Sequence, residues 1–355
     1  MPDPTRVFLS AALTAVVAIL AIRAFALRSH LLDLPNERSS HTIPIPRLGG
    51  LGIVCGVWAA AMMTASLRRN PALWMALFST LPLYLLVFDD ILATVGQGLK
   101  QIPKLATQVA ASTLLVFQAG FVLNAVTLPA MGYVSLGWFA LPATFLWLVY
   151  VTNIYNFMDG IDGLAGSQGL LIATFLFGIA LGVNASALPI LALAVAGASA
   201  GFLFFNRPPA SIIMGDVGSA FVGFLLAALG LIGEQEGVSF LTMPILLGPF
   251  LFDATYTLLR RLMRGENIFQ AHRFHLYQRL VRTGVSPSRV DLFYAVALFP
   301  CGLSAAFLNR GRFLWSVTAF DAFLILALLG VWGVERRWRR HQGFEVGDPR
   351  PQTEI

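Results

Sequence analysis

Charge is scarce in this chain. Of its 355 residues, 12% are Asp, Glu, Lys or Arg, about half the share in an ordinary soluble domain. That excludes a soluble globular enzyme and a highly charged disordered chain. Cysteine is scarcer still: Cys55 and Cys301 both lie inside apolar runs. They exclude a disulfide-stapled scaffold and read as small buried residues. No polar stretch exceeds about 30 residues, too short for a soluble domain of ordinary size. No repeat period or low-complexity tract is present. The net charge of +6, in so apolar a chain, marks one membrane face rather than a nucleic-acid partner.

What the sequence has in excess is hydrocarbon. Apolar residues make up 57%, enough for roughly ten membrane crossings of about 20 residues each. We read about eleven apolar segments, at 7–28, 48–66, 72–90, 103–124, 137–153, 164–183, 185–206, 215–233, 238–259, 290–309 and 312–334. In lipid only helices and closed barrels satisfy their own backbone. Continuous apolar runs without period-2 alternation exclude the barrel. The expected fold is therefore an all-α polytopic membrane protein. Residues 1–334 form one integral-membrane catalytic domain, and 335–355 a mobile polar tail. The first segment, ending in Ala24-Phe25-Ala26, has some features of a signal peptide, but its length and the ten spans that follow favour a membrane helix.

Basic residues set the orientation. With the N-terminus outside, the loops on one face carry 18 of the 24 Lys and Arg residues, and those on the other carry five. The first face is cytoplasmic by this bias, and the C-terminus lies on it.

The acids gather on that same face. Asp33, Asp89, Asp90, Asp159, Asp162 and Asp216 all fall at or just beyond cytoplasmic ends of spans. Ionisable groups there are costly unless paired or metal-bound, so they are candidates for function. Adjacent helical residues point about 100° apart, so Asp89 and Asp90 cannot both face one small ion. Asn153, Asn156, Asp159 and Asp162 follow at steps of three, with Gly160 and Gly163 allowing close approach. Asp216 opens a span, where an acid also serves simply as a helix cap. Arg38, His41 and Arg47 offer cations for phosphate, or merely enforce orientation. Gly52 and Gly56 read as a helix-packing pair. His272 and His275 sit in an arginine-rich loop; two histidines three apart can ligate a metal or donate to phosphate. Asp253, deep in the ninth segment, is expected to support the site from behind, and Asp321 to pair with another span. Carboxylates beside basic loops suit Mg²⁺ or Mn²⁺ and phosphoryl transfer at the bilayer edge. The competing class is an ion-coupled transporter, whose acids belong near the midplane.

Five motifs, in order, resemble the polyprenyl-phosphate N-acetylhexosamine-1-phosphate transferases of glycosyltransferase family 4. They are Asp33-x-Pro-x-x-Arg-x-x-His-x-x-Pro-x-Pro-Arg-x-Gly-Gly, Asp89-Asp90, Asn153-x-x-Asn-x-x-Asp-Gly-Ile-Asp-Gly-Leu-Ala, Gly215-Asp-Val-Gly-Ser and the loop ending in His272-x-x-His275. The resemblance implies attack of a polyprenyl phosphate on a UDP-N-acetylhexosamine at the cytoplasmic face of a bacterial inner membrane. The products would be polyprenyl-diphospho-sugar and UMP, with Mg²⁺ as cofactor. It implies Asp216 as principal metal ligand, helped by Asp90 and Asp159, and Asp89 against the lipid phosphate. Asn153, Asn156 and Asp162 resemble residues near the nucleotide, Lys104 a cation near the phosphates, and His272, Arg273 and His275 a loop on sugar and diphosphate. Members of the family often form homodimers. Ala93 stands where a third acid is usual, and Ile213 where an aromatic often stacks on uracil. Two loop histidines rather than three argue against the muramoyl-pentapeptide branch. The expected sugar is GlcNAc, or a 6-deoxy-amino sugar such as FucNAc or QuiNAc, for O-antigen (lipopolysaccharide) or exopolysaccharide synthesis.

Overall fold

The computed structural model describes residues 3–33, 44–64, 70–128, 131–266 and 274–347, with side chains described up to 341. Helix α1 (Pro4–Arg28) starts where Asp3 accepts from the Thr5 amide and Pro4 presets the first turn. A two-residue ladder, β1 (Leu32–Asp33) with β2 (Ile45–Pro46), brackets the first polar loop and leads into α2 (Gly50–Met63). Then come α3 (Pro71–Phe78), a 3₁₀ turn (Leu81–Leu85), α4 (Leu86–Thr94) and α5 (Gln101–Phe117). An antiparallel hairpin, β3 (Ala125–Leu128) with β4 (Gly132–Ser135), precedes α6 (Ala140–Met158). Beyond it run α7 (Leu164–Gly182), α8 (Leu188–Asn206), α9 (Gly215–Gln235), α10 (Thr242–Leu246) and α11 (Gly248–Met263). Helices α12 (Leu276–Arg282), α13 (Pro287–Leu308) and α14 (Phe313–Gly347) complete the chain.

Among the described residues, eight helical segments are long and apolar enough to cross a membrane. They account for eight of the eleven expected segments, and the chain is a multi-pass membrane protein. The other three expected segments also fold as helix, but shorter. Residues 48–66 give the 14 residues of α2 and 103–124 the 17 of α5. The segment expected over 238–259 divides into α10 and α11 at Gly248-Pro249. Proline there cannot donate back to the preceding turn, so a new helix begins. Pro82 likewise sets the 3₁₀ turn inside the segment expected over 72–90.

Helix α9 is the axis: it is buried along nearly its whole length and packs against α2, α4, α6 and α8. Large side chains on the outer helices, such as Leu13 and Val17 of α1 and Leu314 and Leu328 of α14, face outward. In a bilayer that surface lies against lipid. Without a hydrophobic drive between helices in lipid, close backbone approach replaces it. Gly52 and Gly56 serve as expected. A Cβ on Gly52 would lie 2.3 Å from Ile19 Cγ1, and one on Gly56 2.5 Å from Ala11 O, so α1 lies directly on α2. Gly50 and Gly218 bring α2 onto the start of α9, where a Cβ on Gly218 would lie 2.4 Å from Gly50 Cα.

Two expectations change. Among the described residues, the stretch after Glu335 does not leave the fold: α14 continues to Gly347. Trp338 is buried, with the Arg279 and Arg282 guanidiniums 5.1 and 5.4 Å from its ring centroid. Asp321 does not pair with another span; it stands exposed on α14, outside the ion pairs of the described residues.

The Gly50–Gly218 contact predicts that Gly218→Leu destabilises the protein by about 1–3 kcal/mol or more through overpacking. Gly333→Ala, placed where a Cβ meets nothing within 4 Å, should be neutral. Melting midpoints in detergent measure both; equal midpoints would remove the contact from the architecture.

Candidate active site

The site is built on the start of α9. Gly215 has φ +79°, and a Cβ there would lie 2.7 Å from Asp90 Oδ2. Glycine therefore permits both the turn and the approach of the acid. Asp90, buried in α4, accepts from the Asp216 amide at 2.8 Å and the Val217 amide at 3.0 Å. It caps a helix that is distant in sequence, and its charge suits that positive end. The acid expected to cap α9, Asp216, is thereby left with its side chain available for other partners.

Arg47 locks this arrangement from a third segment. Its Nε donates to Asp90 Oδ1 at 2.7 Å, and its other nitrogens lie 3.4 Å from Asp216 Oδ1 and 3.5 Å from Asp33 Oδ1. Backbone bonds hold it there: Ile213 N donates to Pro46 O, Gly49 N to Ile213 O and Gly50 N to Met214 O, at 2.8–3.0 Å. Burial works against the Arg47 charge, but Asp90, Asp216 and Asp33 outweigh it and hold the guanidinium above its ordinary value.

Lys104, on α5, bridges two carboxylates. Its Nζ lies 2.6 Å from Asp89 Oδ2 and 2.5 Å from Asp216 Oδ2. Asp89 also accepts from the Leu99 amide at 2.5 Å, which ties the 95–100 loop to α4. Asp89 and Asp90 thus diverge as their helical spacing requires, one to Lys104 and the other to Arg47 and α9.

The third acid group follows α6. Burial, with Asp216 and Asp90 nearby, pushes the Asp159 carboxyl up to about 8, which disfavours its charged form. Asn156 Nδ2 donates to Ser219 Oγ at 2.8 Å, joining α6 to α9. Asp162 Oδ2 accepts from the Ala210 amide at 2.9 Å. Asn206, which sequence reasoning missed, takes the Gly163 amide at 2.9 Å and donates to Ile212 O at 3.0 Å. These bonds fasten the 159–163 turn to the segment that delivers Asp216. Asn153 departs from the group: its amide pairs with Gln108 at 2.6 and 3.3 Å and donates to Val149 O. It clamps α5 to α6.

Of the phosphate-side candidates, Arg38, His41, His272 and Arg273 lie outside the described residues. His275 is described, and it is buried. Its Nδ1 lies 3.3 Å from Asp253 Oδ1. Asp253 also accepts from the Leu276 and Tyr277 amides at 2.8 and 3.2 Å and from the Tyr294 hydroxyl at 2.5 Å. One carboxylate thus caps α12 and holds its first residues between α11 and α13. The Tyr277 hydroxyl donates to Phe157 O at 2.9 Å, and a Cβ on Gly160 would fall 2.1 Å from it. So His275 is fixed beside the turn that bears Asp159. Asp253 thus stands behind His275, in an arrangement that also uses Tyr277 and Tyr294, which carried no sequence signal beyond being polar aromatics in apolar surroundings. Glu335 likewise draws Arg279 (2.7 Å), Arg260 (3.2 Å) and the Tyr256 hydroxyl (3.0 Å) onto α14.

Around Asp216 the described residues present oxygen donors, with carboxylates outnumbering the cations Arg47 and Lys104. No three acid or imidazole groups among them already stand as a metal-holding set. The Lys104 ammonium instead sits between two carboxylates, where a cation is wanted. A hard divalent ion fits such a donor set.

The model of glycosyl transferase family 4 matches residues 72–234. The chain is similar to a "probable undecaprenyl-phosphate N-acetylglucosaminyl 1-phosphate transferase" of Bacillus subtilis, 29% identical over 91% of this chain and 89% of that protein. It is 31% identical to a decaprenyl-phosphate N-acetylglucosaminephosphotransferase of Mycobacterium tuberculosis, over 80% of this chain and 77% of that one. A phospho-N-acetylmuramoyl-pentapeptide-transferase of Latilactobacillus sakei is 35% identical over 54% of this chain and 62% of its own length.

Removing the Arg47 charge would leave Asp90 buried without its counter-ion, a loss of about 3–5 kcal/mol. Arg47→Met should lower the melting midpoint in detergent by several degrees, and Arg47→Lys by less. A midpoint unchanged in both variants would show that the cluster does not hold the fold.

Proposed function

The chain belongs to glycosyl transferase family 4 and is a phosphoglycosyl transferase, and on that premise we propose that it moves N-acetylglucosamine-1-phosphate from UDP-GlcNAc to a polyprenyl phosphate. A phosphate oxygen of the lipid attacks the β-phosphorus of the donor. The bond from that phosphorus to the bridging oxygen breaks, giving polyprenyl-diphospho-GlcNAc and UMP. The observation that carries this reading is Asp216, held at the start of a buried helix by Asp90 and shared between Arg47 and Lys104.

The donor set fits Mg²⁺, with Asp216 as principal ligand; Asp90 assists by fixing Asp216 in place, and Asp159 would join the set once ionised. Mg²⁺, when bound, would neutralise pyrophosphate charge and make the β-phosphorus more electrophilic. The rest is done by side chains. Lys104, released from Asp216, turns its ammonium to phosphate oxygens while keeping its pair with Asp89. Arg47 holds Asp90 and Asp216 in register. Asp89 positions the lipid phosphate; a phosphate monoester with a second pKa of about 6 is already largely ionised at neutral pH, so positioning matters more than proton removal. His275 is fixed by Asp253 beside the Asp159 turn, and the family motif is what assigns His272 and Arg273 to sugar and diphosphate. Asn156 and Asp162 shape the nucleotide side.

The basic bias supports a cytoplasmic position for this end of the bundle, in a bacterial inner membrane, with the N-terminus outside, the C-terminus inside, and α2, α5 and α11 crossing beside the eight longer segments to make eleven. The product would begin an O-antigen or another surface polysaccharide, and a homodimer is the assembly we expect. The transporter alternative would put these acids near mid-span; Asp159 and Asp216 lie instead at helix ends, and Asp89 and Asp90 within six residues of the end of the 71–94 segment.

Asp216→Asn should reduce Mg²⁺-dependent UMP release from UDP-GlcNAc and undecaprenyl phosphate by at least about a thousandfold, since an amide is a far poorer ligand for a hard cation. The melting midpoint should stay near that of the wild type. Turnover within tenfold of wild type would remove Asp216 from the reaction. A donor panel read by mass analysis of the lipid product tests the sugar: GlcNAc-1-phosphate is expected, and exclusive use of a 6-deoxy-amino sugar would overturn that choice.

A further inference from the structure

An opening outside the carboxylate cluster lies between α7 and α13, a groove of about 350 Å³. Thr174, Phe175, Gly178 and Gly182 line one wall, and Phe299 and Arg310 the other. On α7 it extends from Leu171 to Val183, about 18 Å at 1.5 Å per residue. One leaflet of hydrocarbon is about 15 Å deep, half of the roughly 30 Å core. The groove therefore has the length of a lipid tail.

Its position is fixed by the two helices. Helix α7 begins at the turn bearing Asp159 and Asp162. The start of α13 is tied to that same end, where Asp291 accepts from the Ser167 hydroxyl. The groove occupies the far halves of both helices, and Arg310 follows the last turn of α13. Its mouth thus opens on the membrane face opposite the carboxylate cluster.

The groove is open by construction. A Cβ built on Gly178 or Gly182 meets nothing within 4 Å. Phe175 is kept out of it by Gly302, since a Cβ there would lie 2.3 Å from the ring, and it packs edge-on against Phe299 at 5.7 Å. The polar groups along the wall are already committed. The Thr174 hydroxyl donates to Leu170 O at 2.7 Å. The Asn309 carboxamide donates to Thr242 and Ala305 O and accepts from the Ser239 amide. Arg310 is different: it is exposed at the mouth, and its guanidinium enters none of the ion pairs among the described residues.

We propose that this groove binds one anionic phospholipid of the opposite leaflet, with an acyl chain along Gly178 and Gly182 and its phosphate on Arg310. An apolar slot selects a hydrocarbon tail, and an arginine at headgroup level selects a phosphate of net negative charge. The lipid bridges α7 and α13 and stabilises the bundle at the end away from the chemistry.

Native mass spectrometry of the full chain, released from micelles holding equal phosphatidylglycerol and phosphatidylcholine, tests the site. One retained phosphatidylglycerol per chain is expected, at least tenfold over phosphatidylcholine. Gly178→Phe should fill the slot and abolish retention. Arg310→Gln, which changes no packing, should remove the preference between the two lipids. Melting midpoints in lipid-free detergent should match the wild type and show both variants folded. Equal retention of the two lipids by the wild type, no retention of either, or retention unchanged in both variants would each overturn the proposal.

Discussion

The Asp90 carboxylate, buried and accepting from the first amides of α9 and from Arg47, is the interaction on which the rest of the site depends. It joins three stretches of chain that are far apart in sequence. An ionised carboxylate out of water is tolerable only when its lone pairs are filled and its charge is met. Here a helix N-terminus and a guanidinium do both. The same contacts hold Asp216 at the end of the most enclosed helix, facing Lys104. The atoms that hold this end of α9 are therefore the same ones the proposed reaction uses. Gly215 and Gly218 are required for this reason as much as for packing.

A second carboxylate repeats the device. Asp253 caps α12 as Asp90 caps α9, and it fixes His275 as Asp90 fixes Asp216. In both cases an acid within one helix terminates another from a distance. In an apolar bundle the first amides of a buried helix find no water, so they need an acceptor from elsewhere in the chain. Two of the carboxylates singled out by the sequence thus serve as long-range caps, while Asp216 and Asp159 keep less committed side chains.

Much of the fold was legible because lipid imposes a simple code. The apolar segments, the Gly52–Gly56 packing pair and the gathering of acids at helix ends all follow from the cost of polar groups in hydrocarbon. Segment lengths were less legible. Apolar composition does not show that Pro249 restarts a helix or that Pro82 forces a 3₁₀ turn. Partnerships were hardest to read. Asn153 sits in the same run as Asn156 and Asp159, yet it turns to Gln108 on the neighbouring helix. Asn206, Tyr277 and Tyr294 act across separations that range from 6 to 120 residues with no fixed spacing, so no periodic pattern marks them. Glu335 read as the start of a tail because nothing in its local sequence indicates that Arg260 and Arg279 converge on it.

Lys104 between Asp89 and Asp216 resolves an electrostatic problem: a crowd of acids needs a positive charge before substrate arrives. The Lys104 ammonium supplies one, and in the proposed reaction it would move to phosphate and yield its place to a divalent ion. Electron paramagnetic resonance of Mn²⁺ added to the substrate-free protein tests that exchange directly. One bound ion per chain is expected in the wild type, with none in Asp216→Asn and tighter binding in Lys104→Met. Mn²⁺ binding that is the same in all three proteins would contradict a cation site built on Asp216.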